Sequence, residues 1–261
     1  MTQRIRSLAA LACAVLALGL APLWAQKPKS QKEVDALNAV QAAKTPDEQI
    51  KAIENVLTNF ADTEYKILLL QTAMQIASQK GDLAQITFYA ERLLEADPKN
   101  AFALITLAGE TARRTREFDL DKEEKLAKVD KWAKEGIEAV KVMPKPRVDI
   151  PDQQWENAKK DLQSNAYAAM GMSAGLRKKY DDSIAAYKQA IEVASAPDST
   201  VWVRLGQTYL DAGKFDEASG AFDKAISDPA APAQVKSIAQ DKKAEATKRK
   251  GAAGAKPPGT P

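Results

Sequence analysis

The sequence predicts an all-α protein built from stacked antiparallel helix pairs. The prediction depends on a glycine-containing turn between two apolar helices, on a recurrence of this pattern 35 residues earlier, and on looser copies upstream. Residues 201–225 form the clearest pair. Its first helix has a face at i, i+3, i+4 and i+7, and its second has a face at i, i+4 and i+7. These packing residues are Trp202, Leu205, Gly206 and Tyr209, followed by Ala218, Phe222 and Ala225.

The residues at the crossing and at the turn explain why the segment forms a hairpin. Gly206 and Ala218 are small where two helices must approach closely, and the aromatic residues around them fill the remaining space. Gly213 suits the left-handed backbone conformation that ends a helix. An ordinary helical hairpin with the same spacing is the alternative interpretation.

The same segment resembles a tetratricopeptide repeat, whose signature reads W-x2-L-G-x2-Y followed by A-x3-F. The resemblance implies a right-handed α-solenoid of about four to five such repeats, the first and third irregular. One repeat cannot bury its own apolar face, so neighbouring repeats are expected to stack against it. The resemblance therefore also implies a stacked binding scaffold and not an enzyme.

A second copy begins near residue 164. Tyr167, Met170, Gly171 and Ala174 take the positions of the first-helix signature, and Ser183, Tyr187 and Ala190 take those of the second, all 35 residues earlier. Two copies in tandem predict an array.

Two weaker copies are expected upstream. In residues 67–100, Gly81 and Asp82 mark the turn, and Phe88, Leu93 and Leu94 are expected to supply apolar positions. Before it, Thr45 and Glu48 form a predicted capping box for a helix that runs to residue 60. Its expected partner is a helix over residues 32–43.

The middle of the chain departs from the pattern. A first helix is expected over residues 101–116, and a second, capped by Asp121, extends to about residue 143. Pro144, Pro146 and Pro151 predict an extended connector, and a new helix should begin at residue 152. We interpret residues 118–163 as an insertion. Trp132 and Trp155 within it are expected to be core residues.

The domain organisation follows from these elements. Residues 1–25 have the basic start, apolar run and small terminal residue of a secretory signal peptide. A repeat domain over 26–231, a capping helix over 232–250 and a disordered tail over 251–261 should follow. Export to the periplasm or secretion is therefore expected, with tethering by an uncleaved N-terminal segment as the alternative.

Composition excludes several classes of chemistry. The chain has no histidine, and its one cysteine, Cys13, lies in the predicted signal peptide. Zinc sites, thiol chemistry and Ser-His-Asp triads are therefore not expected, and we predict neither an enzyme nor a cofactor. The net charge is +3, and the charge pattern shows no cluster of cations on the predicted folded body. Nucleic acid is therefore not an expected partner. No membrane span is expected after signal cleavage.

The resemblance implies that the first helix of each pair lines a concave groove for extended peptides or helices. Carrying these groove positions over selects Leu68, Gln71, Gln75, Phe102, Ile105, Asn165, Ala168, Met172, Thr200, Val203, Gln207 and Asp211. The lysine, asparagine and arginine set of the family's carboxylate clamp is missing at these positions, although Arg113 and Arg204 lie nearby in sequence. A protein or peptide held by hydrogen bonds and apolar anchors is therefore the expected partner.

Two functional hypotheses remain open. In the first, the protein is an exported adaptor that binds other proteins through the groove. In the second, it is an accessory subunit of an envelope complex that holds a small molecule or a glycan with the 118–163 insertion.

Overall fold

A computed structural model of the 261-residue chain describes residues 27–145 and 148–254. Within these ranges the protein consists of eleven helices and contains no strand. The predicted all-α class of stacked helix pairs is confirmed.

The helices follow one another through short connections. They are α1 (Gln31–Ala42), α2 (Pro46–Asn59), α3 (Lys66–Lys80), α4 (Leu83–Ala96), α5 (Ala101–Arg114), α6 (Lys122–Lys141), α7 (Asp152–Leu176), α8 (Tyr180–Val193), α9 (Ser199–Asp211), α10 (Phe215–Ser227) and α11 (Ala233–Gly254).

The chain divides into two compact units, Met1–Glu110 and Thr111–Pro261, and the boundary falls inside α5. In the first unit, α1 packs against α2, α2 against α3, and α3 against α4. In the second unit, each helix from α6 to α11 packs against the next. Consecutive helices therefore stack in chain order within each unit, whereas the sequence suggested one repeat domain over residues 26–231.

The first unit confirms the predicted helix ends. Thr45 and Glu48 form the complete capping box at the start of α2. Gly81 has φ of 69° and closes α3, after which the Asp82 carboxylate accepts the amides that open α4. Leu93 is fully buried, but the expected core position of Phe88 is wrong. Phe88 is 49% exposed, with its ring under the Arg92 guanidinium at 5.2 Å.

A buried acid in the first unit has no counterpart in the predicted pattern. Glu33 lies in the first turn of α1 and is 1% exposed. Its carboxylate accepts the Thr63 hydroxyl at 2.7 Å and the Lys29 amide at 2.6 Å. These hydrogen bonds satisfy the carboxylate and connect the start of α1 to the loop before α3.

In the second unit, two glycines lie directly against aromatic rings. A Cβ atom added to Gly206 would lie 2.5 Å from a ring carbon of Phe222, and one added to Gly171 would lie 2.8 Å from a ring carbon of Tyr187. The two contacts are equivalent under the 35-residue offset. Leu205, Gly206, Tyr209, Ala218, Phe222 and Ala225, for which a packing role was predicted, are all buried. Trp202 is only half-buried.

A recurring ion pair, which we call the Asp–Lys clasp, connects successive helix pairs. The acid lies in the first turn of the second helix of one pair, and the lysine lies 33 or 34 residues later. The clasps are Asp47–Lys80, Asp181–Lys214 at 2.8 Å and Asp216–Lys250 at 2.5 Å. Acidic groups in a first helical turn also interact favourably with the helix dipole.

The turn between α7 and α8 has a lysine where the turns after α3 and α9 have a glycine. Lys178 has φ of 59°, and Gly81 and the equivalent Gly213 have φ of 69° and 73°. A residue with a Cβ atom is strained in this region. The Lys178 ammonium forms an ion pair with Glu117 at 2.7 Å.

The insertion consists of α6, the connector and the first part of α7. Trp155 is 5% exposed, as expected for a core residue, whereas Trp132 is half-buried. The predicted side-chain cap by Asp121 is wrong. Its carboxylate forms an ion pair with Lys125 at 2.8 Å and makes no capping hydrogen bond. The Asp121 carboxylate therefore pairs with Lys125, one turn downstream, and not with the backbone amides at the start of α6.

At the C-terminus, α11 has a buried face of small residues. Ala239 and Ala246 are fully buried, and Lys243 pairs with Asp223 of α10 at 2.7 Å. The helix continues to Gly254, four residues beyond the predicted end at 250, because Ala252 and Ala253 favour helix. The rest of the predicted tail and the predicted signal peptide with Cys13 lie outside the described residues. None of the helices described is both long and apolar enough to cross a membrane.

The first prediction concerns the Gly206–Phe222 contact. Gly206→Leu should lower the free energy of unfolding by about 1–3 kcal/mol, because the added atoms collide with the Phe222 ring. Gly220→Ala is the matched control, since no atom lies within 4 Å of the added Cβ. We expect this variant to gain up to about 1 kcal/mol from helix propensity. Urea denaturation measures both, and equal stability of the Gly206→Leu variant and the wild type would contradict the packing.

The second prediction concerns the strained turn. In a Glu117→Gln background, which removes the ion pair, Lys178→Gly should raise the melting temperature by about 2–4 °C through release of the left-handed strain. Gly213→Lys in the same background should lower it. Calorimetric melting of the variants provides the test, and an unchanged melting temperature for Lys178→Gly would show that the turn is not strained.

Candidate binding face

The predicted groove residues keep the exposure that binding requires, with one exception. We call those on α7 and α9 the A-helix face: Asn165, Ala168, Met172, Thr200, Val203, Gln207 and Asp211. Asn165 and Asp211 are exposed, and the other five are half-buried. In the first unit, Leu68, Gln71, Gln75 and Phe102 are half-buried. Ile105 is only 4% exposed, so its predicted groove position is wrong and it is a core residue.

The centre of the A-helix face is a contact between Arg204 and Met172. One Arg204 nitrogen, Nη1, lies 3.0 Å from the Met172 sulfur. The Arg204 guanidinium also lies close enough to the Tyr187 hydroxyl for its charge to lower the pKa of that group, and Tyr187 is 4% exposed. α9 presents the guanidinium beside the half-buried Val203.

A second cation approaches this centre. Burial lowers the pKa of the Arg113 guanidinium, and the charge of Arg204 lowers it further, followed by that of Arg114. The structure thus brings Arg113 and Arg204 close enough to interact, although the sequence places them 91 positions apart. The groove positions themselves hold no cation, but this pair adds positive charge beside the predicted amides, hydroxyls and apolar groups.

The remaining polar groups of the face are partly engaged with one another. Gln207 donates to the Asp211 carboxylate at 2.7 Å. The Thr200 amide donates to Asp198, which caps α9. These bonds are exposed, so a ligand can replace them with bonds of its own at little cost.

The insertion has a cleft at its start. The cleft has a volume of ≈ 600 Å³ and lies between the loop that follows α5 and the turn between α7 and α8. The Arg177 guanidinium contacts Glu123 at 2.8 Å and Asp130 at 3.0 Å, which fixes the turn against α6. Phe118 borders the cleft with 89% of its surface exposed, and Leu120 beside it is fully exposed.

Among the residues that the structure describes, no group of three or more acidic, histidine or cysteine side chains could hold a metal ion. The repeat register alone predicts the positions of the A-helix face. It does not predict the Arg204–Met172 contact, because that contact joins two helices.

Comparison with known proteins agrees with this architecture. Residues 164–197 and 199–227 each match the family model of the tetratricopeptide repeat. No curated protein sequence matches the chain. Among solved structures, a thermophilic TPR protein from Thermus thermophilus is similar, with a TM-score of 0.52 and 15% sequence identity over 80% of this chain and 98% of that chain. At this identity the similarity supports the fold alone.

Two further structures give lower scores. The MamA protein has 18% identity over 72% of this chain and 89% of its own, with a TM-score of 0.38. A tetratricopeptide repeat protein from Parabacteroides merdae has 13% identity over 81% of this chain and 96% of its own, with a TM-score of 0.30. Both TM-scores are below 0.5, so no property of this chain is inferred from these two structures. The repeats themselves indicate a role as a protein-interaction scaffold.

The third prediction concerns the tyrosine beneath the face. Burial raises the pKa of the Tyr187 hydroxyl to about 12, although Arg204 acts against this shift. The folded protein holds the proton more tightly than the unfolded chain, whose tyrosines have a pKa of about 10. The stabilisation is therefore complete below a pH of about 10 and is lost as the pH rises from about 10 to about 12.

We expect Tyr187→Phe to lose less free energy of unfolding over this pH interval than the wild type. Urea denaturation at a series of pH values measures the difference. Tyr89→Phe should show the same effect in the first unit, because the pKa of Tyr89 is also raised to about 12, mainly by burial. Identical pH profiles for wild type and Tyr187→Phe would contradict the burial of this hydroxyl.

Proposed function

Because residues 164–197 and 199–227 carry tetratricopeptide repeats, we propose that the protein is a non-enzymatic exported adaptor that binds other proteins or peptides. The binding surface is the A-helix face of α7 and α9. The observation that carries this proposal is the Arg204 guanidinium, which contacts the Met172 sulfur and lies beside the half-buried Val203.

The chemistry of the face defines the partner. Met172 and Val203 offer apolar contacts, and Asn165 and Gln207 offer amides that can donate and accept hydrogen bonds. The Arg204 guanidinium favours an acidic group, because an arginine and a carboxylate form charge-assisted hydrogen bonds. The partner is therefore an extended peptide or a helix that places an apolar side chain over Val203 and a carboxylate near Arg204.

Export is supported by the sequence of residues 1–25, with its basic start and apolar run. The proposed location is the periplasm or the exterior of the cell. Tethering by an uncleaved N-terminal segment is the alternative, and cell fractionation with an antibody against the protein distinguishes the two.

The cleft at the start of the insertion favours a second candidate function. Its volume of ≈ 600 Å³ and the exposed Phe118 ring would suit a small molecule or one sugar of a glycan within an envelope complex. However, the charged groups at its wall already pair with one another, since Lys178 contacts Glu117 and Arg177 contacts Glu123. A polar ligand would have to compete with both pairs.

The fourth prediction tests the adaptor function by affinity capture from an envelope extract. Arg204→Gln keeps a hydrogen-bond donor on the side chain but removes the charge, and it should weaken the interaction with the recovered protein about tenfold. Lys248→Ala, which removes an exposed cation of α11, is the matched control and should bind like the wild type. Binding is measured by titration of the purified partner.

The outcomes separate the two candidate functions. Recovery of no protein, together with a reproducible thermal shift by a small molecule that Phe118→Ser abolishes, would replace the adaptor function with the ligand-binding one. Equal affinity of the Arg204→Gln variant and the wild type would remove the A-helix face from the proposal.

A further inference from the structure

A second cleft, which unlike the first is mainly apolar, lies between α8 and α10, with α9 as its floor. Its volume is ≈ 410 Å³. Trp202 and Leu205 of α9 form the floor, and Gly220 and Ala221 of α10 form one wall. None of the residues assigned to the A-helix face lines this cleft.

The floor and the wall are left open by the protein itself. Trp202 occupies the first position of the repeat signature, yet it is only half-buried because part of its indole faces the cleft. Gly220 lies in the interior of α10, and apart from its two chain neighbours and the nearby backbone of α10 itself, no atom lies within 4 Å of the position that its Cβ would occupy. Glycine is unfavourable in an exposed helix interior. No internal contact therefore explains this glycine, whereas a close approach by another molecule would.

Two lysines lie on opposite sides of the cleft. Under the 35-residue offset, Lys188 of α8 corresponds to residue 223 of α10, so Lys188 and Lys224 stand at neighbouring levels of two equivalent helices. The ammonium of Lys188 lies 5.9 Å from the centre of the Tyr209 ring. In the part of the chain that the structure describes, neither lysine forms an ion pair, although Lys214, Lys243 and Lys250 nearby all do.

We propose that this cleft is a docking site for a partner protein segment that presents a large apolar side chain next to a carboxylate. The apolar side chain lies over Gly220 and against Trp202. The adjacent carboxylate lies between Lys188 and Lys224. This complementarity of charge and shape selects the occupant, because an apolar segment without an acid would leave both lysines unpaired.

Two acidic residues of the lining restrict the occupant further. Glu192 of α8 and Glu217 of α10 also line the cleft. They repel additional acids on the bound segment, so a uniformly acidic segment is disfavoured. The site does not depend on the A-helix face, and a partner could occupy both surfaces of one molecule with a gain in avidity.

The test is an NMR titration of the uniformly ¹⁵N-labelled full-length protein with three probes: acetyl-Phe-Glu-amide, acetyl-Phe-Gln-amide and acetyl-Ala-Glu-amide. We expect the Phe-Glu probe to shift the Trp202 indole and the Gly220 amide. Its Kd should be at least about fivefold lower than that of either other probe, as loss of one exposed ion pair or one apolar anchor requires.

Variants locate the site. Gly220→Leu places a side chain in the cleft, and its Cβ meets no neighbouring atom within 4 Å, so it should abolish the shifts while the protein melts no lower than the wild type. Lys188→Gln should raise the Kd of the Phe-Glu probe and leave that of the Phe-Gln probe unchanged. Arg204→Gln on the A-helix face should change neither, so this site and the adaptor function can fail separately. Equal Kd values for the Phe-Glu and Phe-Gln probes, absence of shifts with all probes, or unaltered binding to Gly220→Leu would each overturn the proposal.

Discussion

The second unit depends on how closely its paired helices approach one another, and an aromatic ring against a helical glycine sets that distance. The Phe222 ring lies where a side chain of Gly206 would be, and the Tyr187 ring lies against Gly171 in the same way. A ring packed directly against the backbone of a helical glycine restricts the rotation of each helix about its own axis, because interiors are close-packed. The outward directions of the neighbouring residues follow from this contact. Ser183, fully buried, then donates to the Gly171 carbonyl at 2.8 Å and adds a hydrogen bond to the same crossing.

The elements that sequence reasoning predicted well are those whose cause is local. A capping box at Thr45 and left-handed glycines at 81 and 213 require only a few neighbouring residues, and the structure contains all three. The burial of Phe222 follows from spacing within one helix. Such features depend on backbone geometry that the sequence encodes over one or two turns.

Residues whose position depends on a distant partner were predicted less well. Phe88 fits an apolar pattern but stacks under Arg92, which itself pairs with Glu54 of another helix. The opposite error occurs at Ile105, which occupies a groove position by register and is nevertheless buried. The same limit applies to the A-helix face. Its positions follow from the repeat, but the approach of Arg113 to Arg204 is set by tertiary packing. In this chain the signature residues secure the frame, whereas the recognition that we propose depends on the residues between them.

The Asp–Lys clasp has a consequence for how such a chain can change in length during evolution. Each clasp joins two residues 33 or 34 positions apart, so it refers only to the adjacent helix pair and not to the position of that pair in the chain. A tandem duplication of one 35-residue segment that contains a clasp would therefore carry its own acid and its own lysine. Lys250 on α11 lies 34 residues after Asp216, so an ion pair of nearly the same spacing also joins α10 to α11. Gene duplication could thus lengthen the array at its C-terminal end without new compensating mutations at the interface.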